Sequence, residues 1–328
     1  MRKLALFFFL LQIASAAHAA TRVTVSQLEQ MLSNARVTPD LSLALELSDL
    51  ELTERLTSAR ADPLSAELPG PYSRRSLLVL ADMSAFLDPP ADETAANPPP
   101  DLDAQRKMIA LTSEYLNKTL HRMPDFFATR ETTSFQSKVL LGVPSQALLP
   151  AGKEAWTAFY SDGGEKIRSG RRHSKKSGMT TNGEFGNILE TVMDDAAIGD
   201  LVWNRWEKGS EELLAVYRFA ITKRRNSHYS VNGLPTAYQG EIAIDPSDGS
   251  IRRVIVKALL EPGEPLTIAG SAVEYGPVDL GGKVYICPLK GVAFSEGTRL
   301  RWLNDVVFKD YHLFRANMRI LPTISDHP

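Results

Sequence analysis

Apolar and polar residues alternate along 237–260, AYQGEIAIDPSDGSIRRVIVKALL. Tyr238, Ile242 and Ile244 share one side of an extended chain, with Gln239 and Glu241 on the other. Further on, Val254, Val256, Ala258 and Leu260 share a side, opposite Arg253 and Lys257. A period of two marks a strand with one face on a core. Between the two runs lies Asp245-Pro246-Ser247-Asp248-Gly249. Proline presets φ for a turn, Asp side chains cap turn amides, and glycine takes φ > 0. The pattern predicts a β-hairpin.

Strand-like runs of the same kind recur at 126–135, 155–160, 200–206, 211–221, 227–231, 267–275, 283–287, 291–295 and 304–314. Turn signals separate them, among them Asp162-Gly163-Gly164 and Gly281-Gly282. Short strands at such spacing predict an antiparallel meander. In 211–221, Leu213, Ala215, Tyr217 and Phe219 oppose Leu214, Val216 and Ala220, so both faces are apolar. A sheet buried on both faces needs a helix, another sheet or a ligand over the second one. One helix is expected within 181–193.

The first hundred residues follow a helical period instead. Thr24 with Gln27, or Ser26 with Glu29, offers a capping box for a first helix. Thr38-Pro39 reads as an N-cap followed by proline at the first helical position. Leu41, Leu45, Leu52 and Leu56 recur at helical spacing, and Ser48 with Glu51 offers another cap. Pro69-Gly70-Pro71 interrupts the pattern, and a further helix is expected over 72–87, before Pro89-Pro90. The proline- and alanine-rich run 89–100 reads as a linker. A helix over 101–120 then carries Leu102, Met108, Ile109, Leu111, Tyr115 and Leu116 as a broad apolar stripe.

The extreme N-terminus adds a compartment. Arg2 and Lys3 precede a short apolar run, 4–13, and Ala17-His18-Ala19 has the small-x-small form of a cleavage site. This is the pattern of a secretory signal peptide, with the mature chain starting near Ala20 and working in the periplasm or outside the cell. No later stretch approaches the roughly 20 apolar residues of a spanning helix. The expected organisation is a signal peptide (1–19), a helical segment (20–88), a linker (89–100), a β-domain with a helix (101–321) and a tail (322–328).

Met123-Pro124-Asp125-Phe126 after a helix, the run from Gly240 to Arg253, and the closing Asp310–Phe314 stretch DYHLF together resemble a family of secreted bacterial proteins. Their β-region is similar to the periplasmic lipoprotein-carrier superfold, LolA/LolB-like. That resemblance spans 101–321 and implies a curved antiparallel half-barrel with helices over its concave face. It implies lipoprotein carriage only as one function among those the superfold hosts, and it carries no binding residue onto this chain.

Candidate chemistry is sparse. A formal net charge of −2 gives no bulk attraction to nucleic acid or anionic membranes. His121, His173, His228 and His312 are scattered without ligand spacing, so no metal site is read and each is taken as a surface or turn residue. Asp245 and Asp248 belong to the turn, not to a calcium loop. Glu190, Asp194 and Asp195 form an acidic group at a helix end, where solvated carboxylates are commoner than a catalytic pair. Cys287, the single cysteine, reads as a buried thiol. No nucleophile elbow or phosphate-binding glycine loop occurs, so no catalytic residue and no cofactor is assigned. The basic segment 166–176 reads as a solvated hairpin tip rather than an anion site, and it lacks aromatics for stacking on bases.

Trp156, Phe159, Trp203, Trp206, Tyr217 and Phe219 lie on neighbouring candidate strands. They are core residues or, in a half-barrel, the lining of an apolar ligand cavity. The expected fold class is α+β: an N-terminal helical segment, then a curved, half-barrel-like antiparallel sheet with a covering helix. The expected function is non-enzymatic: binding a lipid, an acyl chain or an envelope partner protein. The alternatives are an envelope hydrolase without a recognisable motif and a scaffold working through its N-terminal helices.

Overall fold

The computed structural model describes residues 20–35, 37–118, 123–139, 147–161, 164–168, 187–196, 201–209, 212–222 and 227–314. The signal-peptide pattern, His121, His173, the basic run beyond Arg168 and the tail lie outside these residues. In chain order the elements are β1 (Thr21–Val23), α1 (Val25–Asn34), α2 (Asp40–Ser48), β2 (Leu50–Leu52), α3 (Ser58–Glu67), α4 (Pro71–Ser84), β3 (Thr94–Ala95), α5 (Leu102–Lys118), β4 (Phe126–Lys138), β5 (Leu149–Ser161) and β6 (Gly164–Arg168). There follow α6 (Asn187–Ala196), β7 (Val202–Lys208), β8 (Leu213–Ile221), β9 (Ser230–Val231), β10 (Leu234–Pro235), β11 (Tyr238–Ile244), β12 (Ile251–Ala258), β13 (Leu266–Asp279), β14 (Val284–Gly297) and β15 (Leu300–Leu313).

Eleven strands form one open sheet in the order β3-β7-β8-β11-β12-β13-β14-β15-β4-β5-β6. Every pairing in it is antiparallel. The fold class is the expected mixed one, with a large antiparallel sheet that does not close into a barrel. From β11 to β15 consecutive strands are neighbours, as the meander pattern requires.

The predicted hairpin is the β11–β12 pair, with Tyr238 opposite Ala258. Asp245 Oδ1 accepts from the Ser247 amide at 2.9 Å and Asp248 Oδ1 from the Ser250 amide at 2.8 Å, so both carboxylates serve the turn. Gly249 has φ +76°, and a Cβ there would lie 2.5–2.7 Å from the backbone of Leu111 and Thr112. The turn therefore packs directly on α5, and only glycine meets both demands.

Three expectations about elements change. First, 283–287 and 291–295 are one strand, β14, that runs through Pro288. Tyr275 pairs with Pro288 and Glu274 with Lys290, leaving Leu289 as an extra, bulged residue. A bulge is where a strand tolerates a residue without an N–H. Second, 227–231 is strand only at β9, which turns through Asn232 (φ 52°) and Gly233 (φ 77°) into β10. Asn232-Gly233 is the local hairpin signal that divides this run. Third, Ser48 ends α2 and its hydroxyl donates to the Ala44 carbonyl at 2.7 Å, while 50–52 forms β2, parallel to β1. The Thr24–Gln27 capping box, by contrast, is present in full.

The N-terminal helices have their own core of Val25, Leu28, Leu43, Leu47, Leu77 and Leu80. Leu41 and Leu45, expected on the apolar stripe, are 60% and 62% exposed. The stripe is Leu43 and Leu47, because α2 packs on α4 through that side. Thr38 makes no cap for this helix, and Asp40 instead caps α4, accepting from the Ser73 amide at 2.8 Å.

The sheet has an inner face, under α5 and α6, and an outer face, under α4 and the rest of the helical segment. Residues 89–100 are not a plain extended spacer: they supply β3, which adds an edge strand beside β7. In β8, Tyr217 and Phe219 face inward, on the side that α6 covers, and Leu214 and Val216 face outward, where they cluster with Ala243 of β11.

Candidate functional site

The inner face gathers the largest apolar cluster, including Tyr160, Tyr217, Phe219, Tyr238, Ile242 and Val254. Trp203 stands edge-on to Tyr217 (ring centroids 5.5 Å) and to Trp206 (4.9 Å). Phe219 stands edge-on to Tyr238 at 5.7 Å. Four of the six anticipated aromatics, Trp203, Trp206, Tyr217 and Phe219, therefore lie on the two adjacent strands β7 and β8. Trp203 and Trp206 are three residues apart and would point to opposite faces on a regular strand. A register shift between Trp203 and Arg205 restores them to one side.

The other two do not join them. Trp156 shares its strand side with Ala158 and Tyr160, so it looks inward, but β5 lies toward the opposite edge of the sheet. Phe159 has the opposite parity and packs on Phe127 (6.1 Å) on the outer side. Burial pushes the Tyr217 hydroxyl up to about 12.

Two helices cover that face. From α6, Ile188, Leu189, Val192 and Met193 pack into the apolar cluster; from α5, Met108, Ile109, Tyr115 and Leu116 do so. One polar group enters with α6. Asp195 is fully buried and accepts from the Tyr238 hydroxyl at 2.7 Å and from the His228 amide at 3.0 Å. Its other oxygen meets His228 Nδ1 at 2.5 Å. In sequence, Asp195 has the pattern of a solvated helix-end carboxylate and His228 that of a surface or turn residue. Their pairing across 33 positions has no local signal. Cys287 is buried on this face, and burial pushes its thiol up to about 12, as an inert cysteine requires.

The outer face holds charges instead. Glu207 bonds Arg55 at 2.5 Å, Arg253 at 2.7 Å and Arg205 at 2.8 Å, and Arg205 continues to Glu241 at 2.8 Å. Arg253, on the face opposite Val254 and Val256, is buried, and its guanidinium joins Arg55 of the helical segment at Glu207. Burial pulls the Arg55 guanidinium down to about 10, Arg253 adding to the effect, and Arg55 still stays charged near neutrality. Nearby, Lys290 bonds Asp82 of α4 at 2.7 Å, with Asp305 at 3.7 Å. Burial pushes the Asp82 carboxyl up to about 7, against the attraction of Lys290. A cavity of about 20 Å³ lies here, lined by Arg55, Ser58, Asp82, Arg253, Glu274 and Lys290 among others. That is room for about one water and far too little for a lipid or metabolite. Among the described residues no group of three metal-ligating side chains gathers, and no helix is long and apolar enough to cross a membrane.

No family model and no curated protein matches the chain. Two solved structures are similar to it in backbone. One is an outer membrane lipoprotein-sorting protein domain from Vibrio parahaemolyticus, at 13% identity and TM-score 0.31, over 64% of this chain and 93% of that one. The other is a LolA superfamily protein from Nitrosomonas europaea, at 10% identity and TM-score 0.30, over 65% of this chain and 94% of that one. Both names fall within the lipoprotein-carrier resemblance read from the sequence. At these identities and scores neither brings a residue role or an activity to this chain.

Proposed function

We propose that this is an exported, non-enzymatic protein that binds an acyl chain or similar apolar molecule on the inner face of its sheet. The observation that carries the reading is the aromatic cluster of Trp203, Trp206, Tyr217 and Phe219 beside α6, which covers the inner face with Ile188, Leu189, Val192 and Met193. An acyl chain offers the same chemistry as Ile188, Leu189, Val192 and Met193. It can take their place against the aromatics with little change in buried apolar area. The signal-peptide pattern of the first nineteen residues supports a site of action outside the cytoplasm.

The test uses residues 20–328 and a dansylated undecanoic acid. Saturable binding is expected, with a Kd of about 1–10 µM, a range open to an acyl chain after its ordering costs. Trp203→Glu should weaken it at least about tenfold, since a buried carboxylate opposes an apolar ligand, with circular dichroism confirming that the sheet remains. A folded sample without saturable binding overturns the reading. Weight then moves to a scaffold role, for which the exposed Leu41 and Leu45 on α2 and Tyr72 on α4 supply the surface.

A further inference from the structure

The fastening of α6 raises its own question, because a carboxylate is a poor group to bury where Asp195 sits. It stands in the last turn of the helix, where the partial negative charge of the helix end opposes it. A buried carboxylate persists only when its oxygens are bonded to donors. Asp195 meets that condition with donors from outside the helix. One is the Tyr238 hydroxyl on β11; the others are the backbone amide and ring nitrogen of His228, just before β9. Among the described side chains, α6 otherwise meets the sheet through Ile188, Leu189, Val192 and Met193, and the Tyr238 hydroxyl also lies 3.4 Å from the Thr191 carbonyl. Apolar contact is non-directional, so the directional bonds to Tyr238 and His228, those of Asp195 foremost, orient the described part of the helix over the cluster.

The His228 ring is 69% exposed, although its Nδ1 is bonded to a fully buried oxygen. Its remaining nitrogen is thus in exchange with bulk solvent. The imidazole carries protons between the medium and the hydrogen bond that holds the helix. We propose that Asp195, His228 and Tyr238 form a proton-operated latch, in which a protonated His228 fastens α6 over the inner face and a neutral one lets it lift more readily. This rests on the reading of the inner face as a binding surface.

Among the described residues the titratable groups facing the pair are few. Asp194 adjoins it on α6, and the Tyr229 ring lies tilted beside Tyr238 with ring centroids 5.0 Å apart. The hydrogen bond that the His228 ring donates to Asp195 holds the His228 pKa above its ordinary 6.5, and the charges of Asp195 and Asp194 add to this. A group whose pKa rises on folding stabilises fully below its unfolded value, near 6.5. It loses that contribution as pH climbs through the raised value. A neutral imidazole still donates from Nδ1, but without the charge that strengthens the bond. Alkaline conditions therefore loosen the latch without abolishing it.

The experiment measures amide hydrogen exchange across α6, normalised to intrinsic rates, at pH 5.5 and pH 8.5. It compares the mature protein with His228→Gln, which changes an exposed side chain and keeps a donor. The expected result is a fall of about threefold or more in wild-type α6 protection between the two pH values. The variant should show the lower protection at both. Equal pH dependence in the two proteins, or none in either, overturns the latch. The dansylated fatty acid is titrated in parallel at both pH values. Gated exchange without probe binding keeps the latch and overturns the binding reading. Probe binding with ungated exchange does the reverse.

Discussion

Gly249 shows how one residue can serve two masters. Its φ of +76° lies in the region that L side chains rarely adopt, and α5 leaves no room for a Cβ. Valine there would be strained in the backbone and would also push the hairpin off the helix. Gly249→Val should lower stability by at least about 1–3 kcal/mol, the usual cost of a strained backbone position. Urea unfolding followed by circular dichroism reads it, and an unshifted midpoint would mean that the turn does not rest on α5. Asp195 makes the converse point. Its role follows from the two groups that reach it, and its neighbours in the chain say nothing of them.

At the scale of elements, α2 separates periodicity from orientation. Leu41, Leu43, Leu45 and Leu47 offer two overlapping stripes at helical spacing, and nothing local selects between them. Packing on α4 selects Leu43 and Leu47, which are 1% exposed. Leu43→Ala should therefore cost about 2–5 kcal/mol, the range for emptying a core leucine site. Leu45→Ala should stay within about 0.5 kcal/mol, as surface changes do. Thermal midpoints of the two variants decide between the stripes, and a reversed order would reverse the orientation of α2. Bulges are the other element-scale lesson. At Leu289 one lets proline into a long strand; at 203–205 one brings two tryptophans to the same face.

For the whole molecule, the decisive contact is the helical segment on the outer face, fixed by Glu207 and its three arginines. Burial pushes the Glu207 carboxyl up, but Arg253, Arg55 and Arg205 outweigh it and bring it down to about 2. A depressed carboxylate stabilises the fold above its ordinary value of about 4.5 and loses that contribution as pH falls through about 2. Removing it leaves the buried Arg55 and Arg253 short of an anion, while Arg205 keeps Glu241, so Glu207→Gln should cost about 3–5 kcal/mol at pH 7. The gap between variant and wild type should narrow from pH 4.5 downward, read as urea midpoints at pH 7 and pH 3. A constant gap would show that Glu207 acts through packing and not through charge.

Much of the architecture was already written in the order of residues. The hairpin, the antiparallel run from β11 to β15, α5 and the Thr24–Gln27 cap all arise from forces acting over a few positions: alternation, turn chemistry and amide capping. The same locality made part of the aromatic cluster legible, because β7 and β8 are consecutive strands that pair. Parity alone already set Phe159 against Trp156. What no local pattern carries is the partner of each face. Arg55 finds Glu207 across 152 positions, and His228 finds Asp195 across 33. An apolar stripe says only that something must cover it. Which helix does so, and which charges it buries in doing so, is settled by the topology that brings distant segments together.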